Sequence, residues 1–560
     1  MAESTRIQCD VLVVGGGMAG LAAAVAAAEE GTDVVLASLG EAGKSGATYY
    51  DVAEIGAFNA PCACETDSAQ VFYEDIMTAA LSMASPKLCR ILAEEAEPAL
   101  HRLAAMPGGE TLFEREQNRY KVFQACFSSK PRSHIIHDHF RPLLQVLGRQ
   151  AVRLGVRCVP CMVSELLVED NRCFGALGLD ARENEMTILA GAVVLAAGGA
   201  SQLFSRNMYP WDVTGSGYAL ASMAGAKMTN MEFIQMGIGV AHPFINLFEH
   251  YLWDCMPVLK NAEGKAFLED YLPEGVDRNM AIADKGRHFP FSTRDHSKYV
   301  EIAVQNEINC GRGTSRGNVF LDVRTDRQQE LLKQGSHFSS MWPTTWNWYH
   351  SKGVDLLKQP IEVACFAHAI NGGALINESA ETSVQNLFAV GEAASGPHGA
   401  DRLGGNMSLT SQVFGQIAGK ESAARARKER LSPDKQKAER YRRQAGSYGL
   451  EAAQQGQEML AHLQRMTDRS MLIVRNEDGL ARYRDELDSL VAEMESRPKT
   501  LTRQAVGMRH LLEAGSLMAQ AALARKESRG SHYREDYPVM KSQYEQNYVI
   551  ERRAGSFQKV

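Results

Sequence analysis

The sequence predicts an α/β fold in which one parallel sheet is interrupted by an insertion and followed by a helical C-terminal region. Three observations carry this. In Cys9–Gly31 the apolar run Val11-Leu12-Val13-Val14 reads as a buried strand and is followed at once by Gly15, Gly16, Gly17 and Gly20. Apolar runs ending in glycine recur far downstream, at Ala192–Gly199 and Asn386–Glu392. From residue 431 onward, charged segments with helical periodicity replace the small-residue strands.

The opening element is the most specific. Gly15-x-Gly17-x-x-Gly20 at a strand end lets the backbone turn tightly and approach a pyrophosphate. The Ala-rich helix that follows, up to Ala28 with Gly31 in the C-cap place, offers that group its N-terminal amides and dipole. This is a Rossmann-like, dinucleotide-binding signature. The second strand, Asp33–Ser38, ends in a serine where an NAD site usually carries an acid, so the simplest NAD rule fails. Gly40–Ala57 is rich in small residues and suited to wrapping a cofactor. Leu81–Leu103 and Pro142–Leu154 carry helical periodicity, and Val156–Leu177 reads as strands with turns.

Ala192–Phe204 repeats the opening logic with Gly198-Gly199 at its strand end, and Thr214-Gly215-Ser216-Gly217 precedes a small-residue helix, Tyr218–Gly225. Asn386–Glu392 is the third such strand, followed by SGPHGADRLGGNMSL and a helix from Ser411. Three glycine-rich strand ends so far apart describe one nucleotide fold in two parts, residues 1–240 and 356–430, with an inserted domain over 241–355 and a helical domain over 431–560. Met341–His350 concentrates three tryptophans and a tyrosine in the insertion, for packing, substrate enclosure or docking of another subunit. Lys420–Arg443 reads as a solvated helix, Pro433 as the start of the helical domain, and Gln454–Arg465, Gly479–Ser496 and Leu501–Arg525 as its helices.

Composition bounds the function. A chain of 560 residues exceeds one core, so roughly two to four domains are expected. Hydrophobic content of 45%, charged content of 23% and a net charge of −7 suit a soluble enzyme and give no electrostatic footprint for nucleic acid. MAESTRIQCD lacks a basic-then-apolar signal, and the glycines within Val11–Ala28 argue against a membrane span, so a cytoplasmic location is expected. The 11 cysteines are scattered. Cys158/Cys161 and Cys62/Cys64 lack the second pair that a zinc site or iron–sulfur cluster would use, so no metal is expected and the strand-like Cys158–Cys161 run reads as buried structural thiols.

Four motifs in order, VVGGGMAGLAAA, VVLAAGG, NLFAVGEAASGPHGADRLGGN and RKESRGSHYREDYP, resemble the flavoprotein subunits of succinate dehydrogenase and fumarate reductase. That superfamily includes L-aspartate oxidase, soluble fumarate reductases and the adenylylsulfate reductase flavoprotein. The resemblance implies FAD extended along the Rossmann-like domain, an α+β capping domain over the flavin and a helical C-terminal domain. It places Gly15, Gly17, Met18, Ala19, Gly20, Ser38, Lys44, Ser45, Thr48, Ala197, Gly198, Glu392, Arg402, Asn406, Ser408 and Leu409 against the cofactor, Glu392 at its ribityl or ribose region. It also resolves the NAD objection, since Ser or Thr is common in the family where Ser38 stands. Respiratory members attach the flavin covalently through the His of Arg-Ser-His-Thr. Here Lys44-Ser45-Gly46-Ala47-Thr48 offers no histidine, which implies non-covalent FAD and makes succinate oxidation against a quinone chain a poor match.

Hydride transfer next to a carboxylate needs a held substrate, polarised carboxylates and a mobile proton. The resemblance assigns three catalytic residues. Arg294 of Ser292-Thr293-Arg294-Asp295 moves the proton, His368 of the H-x-x-x-G-G segment grips a carboxylate, and Arg402 of HGADRLGG clamps one bidentately, a task suited to a planar guanidinium. Two departures point away from fumarate. Gln235-Met236-Gly237-Ile238-Gly239 stands where respiratory relatives have Q-F-H-P-T, and His250 and Trp253, with Glu249 one place off, stand where a Glu/Arg proton relay is expected. The expectation is an oxidoreductase acting on a different, larger or monocarboxylic, carboxylate-like small molecule, with Glu232 near the flavin. Two alternatives stay open: an amino-acid oxidase resembling L-aspartate oxidase, and an electron-transferring subunit with an iron–sulfur partner, as in adenylylsulfate reductase. No direct membrane span is expected, and homo-oligomerisation is left open.

Overall fold

The computed structural model describes residues 5–50, 52–53, 55–428, 453–496, 501–553 and 556–559. Its main sheet is built around the first strand, Thr5–Val14, which pairs in parallel with Val34–Ser38 on one side and Glu185–Leu195 on the other. Arg157–Pro160 extends the sheet in parallel beyond Val34–Ser38. Glu185–Leu195 divides its second edge. Its first half pairs antiparallel with Arg172–Leu179, which continues into Met162–Glu169, and its last three residues pair in parallel with Leu387–Ala389. Val11–Val14 are at most 4% exposed, as expected of a parallel strand covered on both faces.

The Ala-rich segment forms the helix Met18–Glu29, buried from Met18 to Ala27. A helix apolar all round has to be covered all round, and the helix Asn406–Lys428 lies close against it. A Cβ at Gly415 would stand 2.9 Å from the Ala22 Cβ, and one at Gly419 2.4 Å from the Ala23 carbonyl oxygen. The alanines of one helix and the glycines of the other therefore serve a single close crossing. This second helix begins at Asn406, five residues before the predicted start at Ser411, because the glycine-rich Gly404-Gly405 turn runs directly into it. Of the basic run Lys420–Arg443, the part up to Lys428 completes this helix. The remainder, with Pro433, lies outside the described residues.

A second, antiparallel sheet has the order Asn246–Leu247, Ile234–His242, Ile361–Ile370, Val319–Asp322, Val258–Lys260, so the layer takes in flanking strands beyond the expected insertion over 241–355. The strands that lead in and out of it, Ile234–His242 and Ile361–Ile370, pair with each other. The Trp-rich run lies in the helix His337–Ser351 and packs within this layer. Trp342 stacks on Phe338 at 5.4 Å, Trp346 stacks on His350 at 4.7 Å, and the Trp348 indole donates to Asn246 Oδ1 at 3.0 Å.

Among the described residues, three helices, Ala453–Met471, Glu477–Glu495 and Arg503–Ala524, form the C-terminal region. The chain then returns to the cofactor domain, where Val549–Arg553 pairs with Met228–Thr229. Between them the RKESRGSHYREDYP segment buries Arg525, Arg529 and Arg534. Arg525 pairs with Glu232 and Glu527, so Glu232 is a structural counter-ion and not a residue beside the flavin. The same segment braces the loop before Arg402, with Ser531 Oγ donating to the Ala400 carbonyl at 2.9 Å. Cys161 is buried but Cys158 is exposed, because the short edge strand Arg157–Pro160 turns that thiol outward. Among the described residues no helix is long and apolar enough to cross a membrane.

Candidate active site

Thr5–Val14, Glu185–Leu195 and Leu387–Ala389 run side by side in the same direction, so their glycine-rich C-terminal ends meet at one edge. There they open a deep cleft, lined among others by Gly15, Gly17, Met18, Ala19, Ser38, Ala197, Gly198 and Glu392. This is where an open α/β sheet binds its ligand. Two kinds of glycine build it. Gly15 takes φ +115°, and a Cβ on Gly20 would fall 1.9 Å from the Gly15 carbonyl oxygen, so the helix start is docked on the strand end and Gly20 stands one layer behind the lining. Gly17, Gly46 and Gly198 have no atom within 4 Å of an added Cβ and present bare backbone to the cleft. A cradle of exposed backbone at a helix N-terminus fits a pyrophosphate.

Further along, Ser45 and Thr48 line the cleft in a loop pinned by the Gly46 N–H, which donates to Asp212 Oδ2 at 2.8 Å. Ser408 also lines it, its hydroxyl donating to the Ala57 carbonyl at 2.6 Å. Glu392 is enclosed, with Oε1 accepting from the Ile370 N–H at 2.9 Å. Burial pushes its pKa up to about 7, above the usual carboxylate range. A carboxyl held so dry is a fitting acceptor for sugar hydroxyls, and with the glycine cradle the residues present fit FAD.

Four of the predicted flavin contacts are off the lining: Gly20, one layer behind it as described, and three others. The Lys44 side chain points to solvent and binds Glu41 at 2.7 Å, since it follows a turn that aims it away from the cleft. Asn406 stands behind the lining, its Oδ1 accepting from Asn59 Nδ2 at 2.6 Å, and Leu409 is in the core one helical turn on.

At the far end of the cleft the structure brings His368 and Arg402 together with Tyr209, Phe289, Gln235, Glu249 and His250. Gln235 sets the guanidinium. Arg402 Nε donates to Gln235 Oε1 at 2.9 Å, Gln235 Nε2 donates back to the Arg402 carbonyl at 3.3 Å, and Nη1 donates to the Leu403 carbonyl at 3.0 Å. Among the described residues no partner engages Nη2. The His368 ring lies 5.3 Å from Tyr209 and 5.8 Å from Phe289. Burial, with Arg402 and His139 adding to it, pushes the His368 pKa down to about 3, so its imidazole is neutral at physiological pH. Trp253, by contrast, is buried in the core of the insertion.

Arg294 is not part of this lining. Its Nη2 and Nε donate to Asp401 Oδ2 at 2.9 and 3.2 Å, Nη2 also donates to the Ala79 carbonyl at 3.0 Å, and the guanidinium covers the Phe127 ring at 4.5 Å. A fully buried carboxylate one residue before Arg402 draws the arginine behind the loop that carries Arg402.

Sequence reasoning missed Tyr209, Phe289 and His139, all in the lining. Tyr209 and Phe289 sit in stretches with no motif. His139 had one visible signal, the His137-Asp138-His139-Phe140 cluster, in which Asp138 and His139 both take positive φ.

Comparison with known proteins agrees with this geometry. Residues 10–408 match the FAD binding domain family, and residues 460–554 match the fumarate reductase flavoprotein C-terminal family. One subunit of the fumarate reductase (CoM/CoB) of Methanothermobacter marburgensis is 30% identical over 572 residues, covering 98% of both chains. The L-aspartate oxidase of Bacillus subtilis is 29% identical over 398 residues, covering 70% of this chain and 67% of its own. The solved structure of Mycobacterium smegmatis Sdh1 in complex with UQ1 superposes with a TM-score of 0.83 at 27% identity, covering 99% of this chain and 94% of that one. A cleft built from three glycine-ended strands and matched over 10–408 places the chain in the FAD-binding succinate dehydrogenase and fumarate reductase flavoprotein family, as an FAD-dependent oxidoreductase.

Proposed function

We propose that this enzyme moves a hydride to or from a carbon next to a carboxylate, on a substrate other than fumarate. The observation that carries the reading is the Gln235–Arg402 pair beside His368, which leaves the Nη2 edge of one buried guanidinium turned to the cleft. Such an edge holds a carboxylate by charge-assisted hydrogen bonds. Neutral His368 adds one hydrogen bond but no charge, so the site is built for a single strongly held carboxylate. Tyr209 and Phe289 wall the remaining space with rings, which suits a longer or less polar substrate than a four-carbon dicarboxylate.

Bound FAD supplies the two-electron chemistry. The chain's own residues do the rest: Arg402 fixes the carboxylate, His368 orients and polarises it, and the aromatic walls exclude water. Arg294 is proposed as the proton carrier, reaching the substrate when it leaves Asp401. Ser45-Gly46-Ala47-Thr48, with no histidine, supports a dissociable flavin. Acid precipitation is expected to leave the yellow chromophore in the supernatant, and colour retained in the pellet would overturn that part.

The decisive experiment is anaerobic bleaching or reoxidation of the flavin against a panel of monocarboxylates, dicarboxylates, enoates and amino acids. Turnover of an enoate or saturated carboxylate with a non-polar tail supports the proposal, and strict preference for fumarate or succinate overturns it. A second reading, amino-acid oxidation, is supported by the name of the Bacillus relative, and hydrogen peroxide release with an amino acid would establish it. The Methanothermobacter relative is named as one subunit of its enzyme. That supports an electron-transfer partner for this chain, and we propose an iron–sulfur protein, to be sought by co-purification.

A further inference from the structure

We propose that Cys62, Glu97, His101 and His134 form a zinc site that ties the strand pair Ile55–Asn59 and Ser133–His137 to the neighbouring helix. The four residues come from three elements. Cys62 follows the strand Ile55–Asn59, His134 lies on the paired strand Ser133–His137, and Glu97 and His101 stand one turn apart on the helix Ala96–Ala105. The ligand atoms of Cys62, Glu97 and His101 lie within 4.8 Å of one another.

His134 supplies the second, independent observation. It is fully buried, and its Nδ1 faces two carbonyl oxygens, of Arg132 at 3.0 Å and of Phe58 at 3.2 Å. A nitrogen between two acceptors must carry the proton, so Nε2 is left with its lone pair, and it points at Cys62 Sγ from 3.6 Å. This is how a metal-binding imidazole is prepared, with its tautomer fixed from behind by a backbone acceptor. Tetrahedral zinc, with sulfur at ~2.3 Å and nitrogen at ~2.0–2.1 Å, sets those two ligands about 3.6 Å apart.

His101 Nε2 and Glu97 Oε1 are 4.0 Å apart, and His134 lies outside the 4.8 Å cluster, so closing the shell requires the two half-exposed helix side chains to rotate toward His134. The edge-on rings of Phe113 and Tyr120, at 6.0 and 5.0 Å from His134, close its inner side. Without a metal, burial and the Glu97 charge push the Cys62 thiol up to about 11, and a bound divalent cation would reverse that preference.

Four protein ligands leave no open position on the metal, which makes the site structural rather than catalytic. Its mechanical role follows from Asn59, three residues before Cys62. Asn59 Nδ2 donates to the Gly404 carbonyl at 2.7 Å and to Asn406 Oδ1 at 2.6 Å, directly behind Arg402. Spacing along the chain does not reveal the site, because the ligands are spread over positions 62, 97, 101 and 134 with no paired-cysteine pattern.

The test is zinc titration of the chelator-dialysed holoenzyme by calorimetry in two buffers of different ionisation enthalpy. The wild type should take up about one equivalent and release about one proton, from Cys62. Cys62→Ser and His101→Ala should weaken binding roughly 100-fold or more, while Cys158→Ser, which alters an exposed thiol elsewhere, should not. Cobalt in place of zinc should give d–d absorption to the red of the flavin bands. Flavin content reports that each variant is folded. Failure of the folded wild type to bind zinc stoichiometrically, or equal affinity in Cys62→Ser, would overturn the proposal.

Discussion

Arg294, from the inserted layer, and Asp401, from the loop carrying Arg402, form an ion pair around a carboxylate with no exposed surface. Ser292 Oγ donates to the same Asp401 oxygen at 2.7 Å, and among the described residues Oδ1 has no partner. Burial raises the Asp401 pKa even with Arg294 opposing it. In Arg294→Ala that opposition is gone and the folded-state pKa rises further. An acid whose folded pKa exceeds its unfolded value loses folded-state stability as pH climbs from the unfolded pKa, about 4, toward the folded one. Urea midpoints of Arg294→Ala should therefore fall further below wild type at pH 8 than at pH 5. Turnover should collapse in the same variant. A folded Arg294→Ala or Arg294→Lys with unchanged turnover would reduce the residue to an interdomain latch.

Arg402 and Gln235 should separate by kinetics. Arg402→Ala removes the buried guanidinium and is expected to lower kcat/KM by about 10²–10³. Gln235→Ala leaves the charge but frees its orientation, and a loss of roughly tenfold is expected, mainly in KM. Equal losses in both variants would mean that Gln235 touches substrate itself.

Gly17 and Gly20 should fail in different ways. Gly17 has φ −78° and open space ahead, so Gly17→Ala is expected to fold normally but to place a methyl in the proposed pyrophosphate cradle. Apoprotein melting should hardly change, while the flavin Kd rises. Gly20→Ala meets the Gly15 carbonyl at 1.9 Å and should cost roughly 1–3 kcal/mol in the apoprotein itself. Thermal unfolding and fluorimetric flavin titration of both variants read this out.

Acid should weaken the protein before the carboxylates titrate. Burial holds His134 and His510 near 4 and His368 near 3, and puts His398 and His532 well below their ordinary value. A base with a depressed folded pKa binds its proton first in the unfolded chain. Stability is thus retained above about 6.5 and lost as pH falls from there toward about 4, by roughly 1.4 kcal/mol per pH unit for each group. Glu392, raised to about 7, and Asp401, Glu301 and Asp468, also raised by burial, act in the opposite direction and offset part of the decline. Urea unfolding at pH 7.5, 6 and 5 should show the decline, and a flat profile would contradict it.

The cofactor domain was legible because its determinants are local. Val11–Val14 followed by glycines dictates strand, turn and helix within about 20 residues, and the same code repeats twice. The strand ends that carry Ser38 and Glu392 follow from those repeats, and the family resemblance assigns the two residues to the cofactor. Lys44 could not, since a side chain's direction after a turn depends on the turn's dihedrals. The Arg294–Asp401 attraction joins residues 107 apart, and the pairing of Val549–Arg553 with Met228–Thr229 joins residues some 320 apart. Neither leaves a periodic trace. Tyr209 and Phe289 are ordinary aromatic residues until tertiary structure puts them at the mouth of one cleft.

The divided edge of Glu185–Leu195 also sets a schedule for synthesis. Two walls of the flavin cleft are encoded within the first 199 residues, but the third, from Leu387–Ala389 through Glu392, is translated about 190 residues after its partner strand. A nascent chain thus carries an incomplete cofactor site through roughly a third of its elongation, with the last residues of Glu185–Leu195 lacking their neighbour. Flavin capture by this enzyme is therefore expected to be a late event, because a chain that ends before Leu387 lacks the third wall of the cleft.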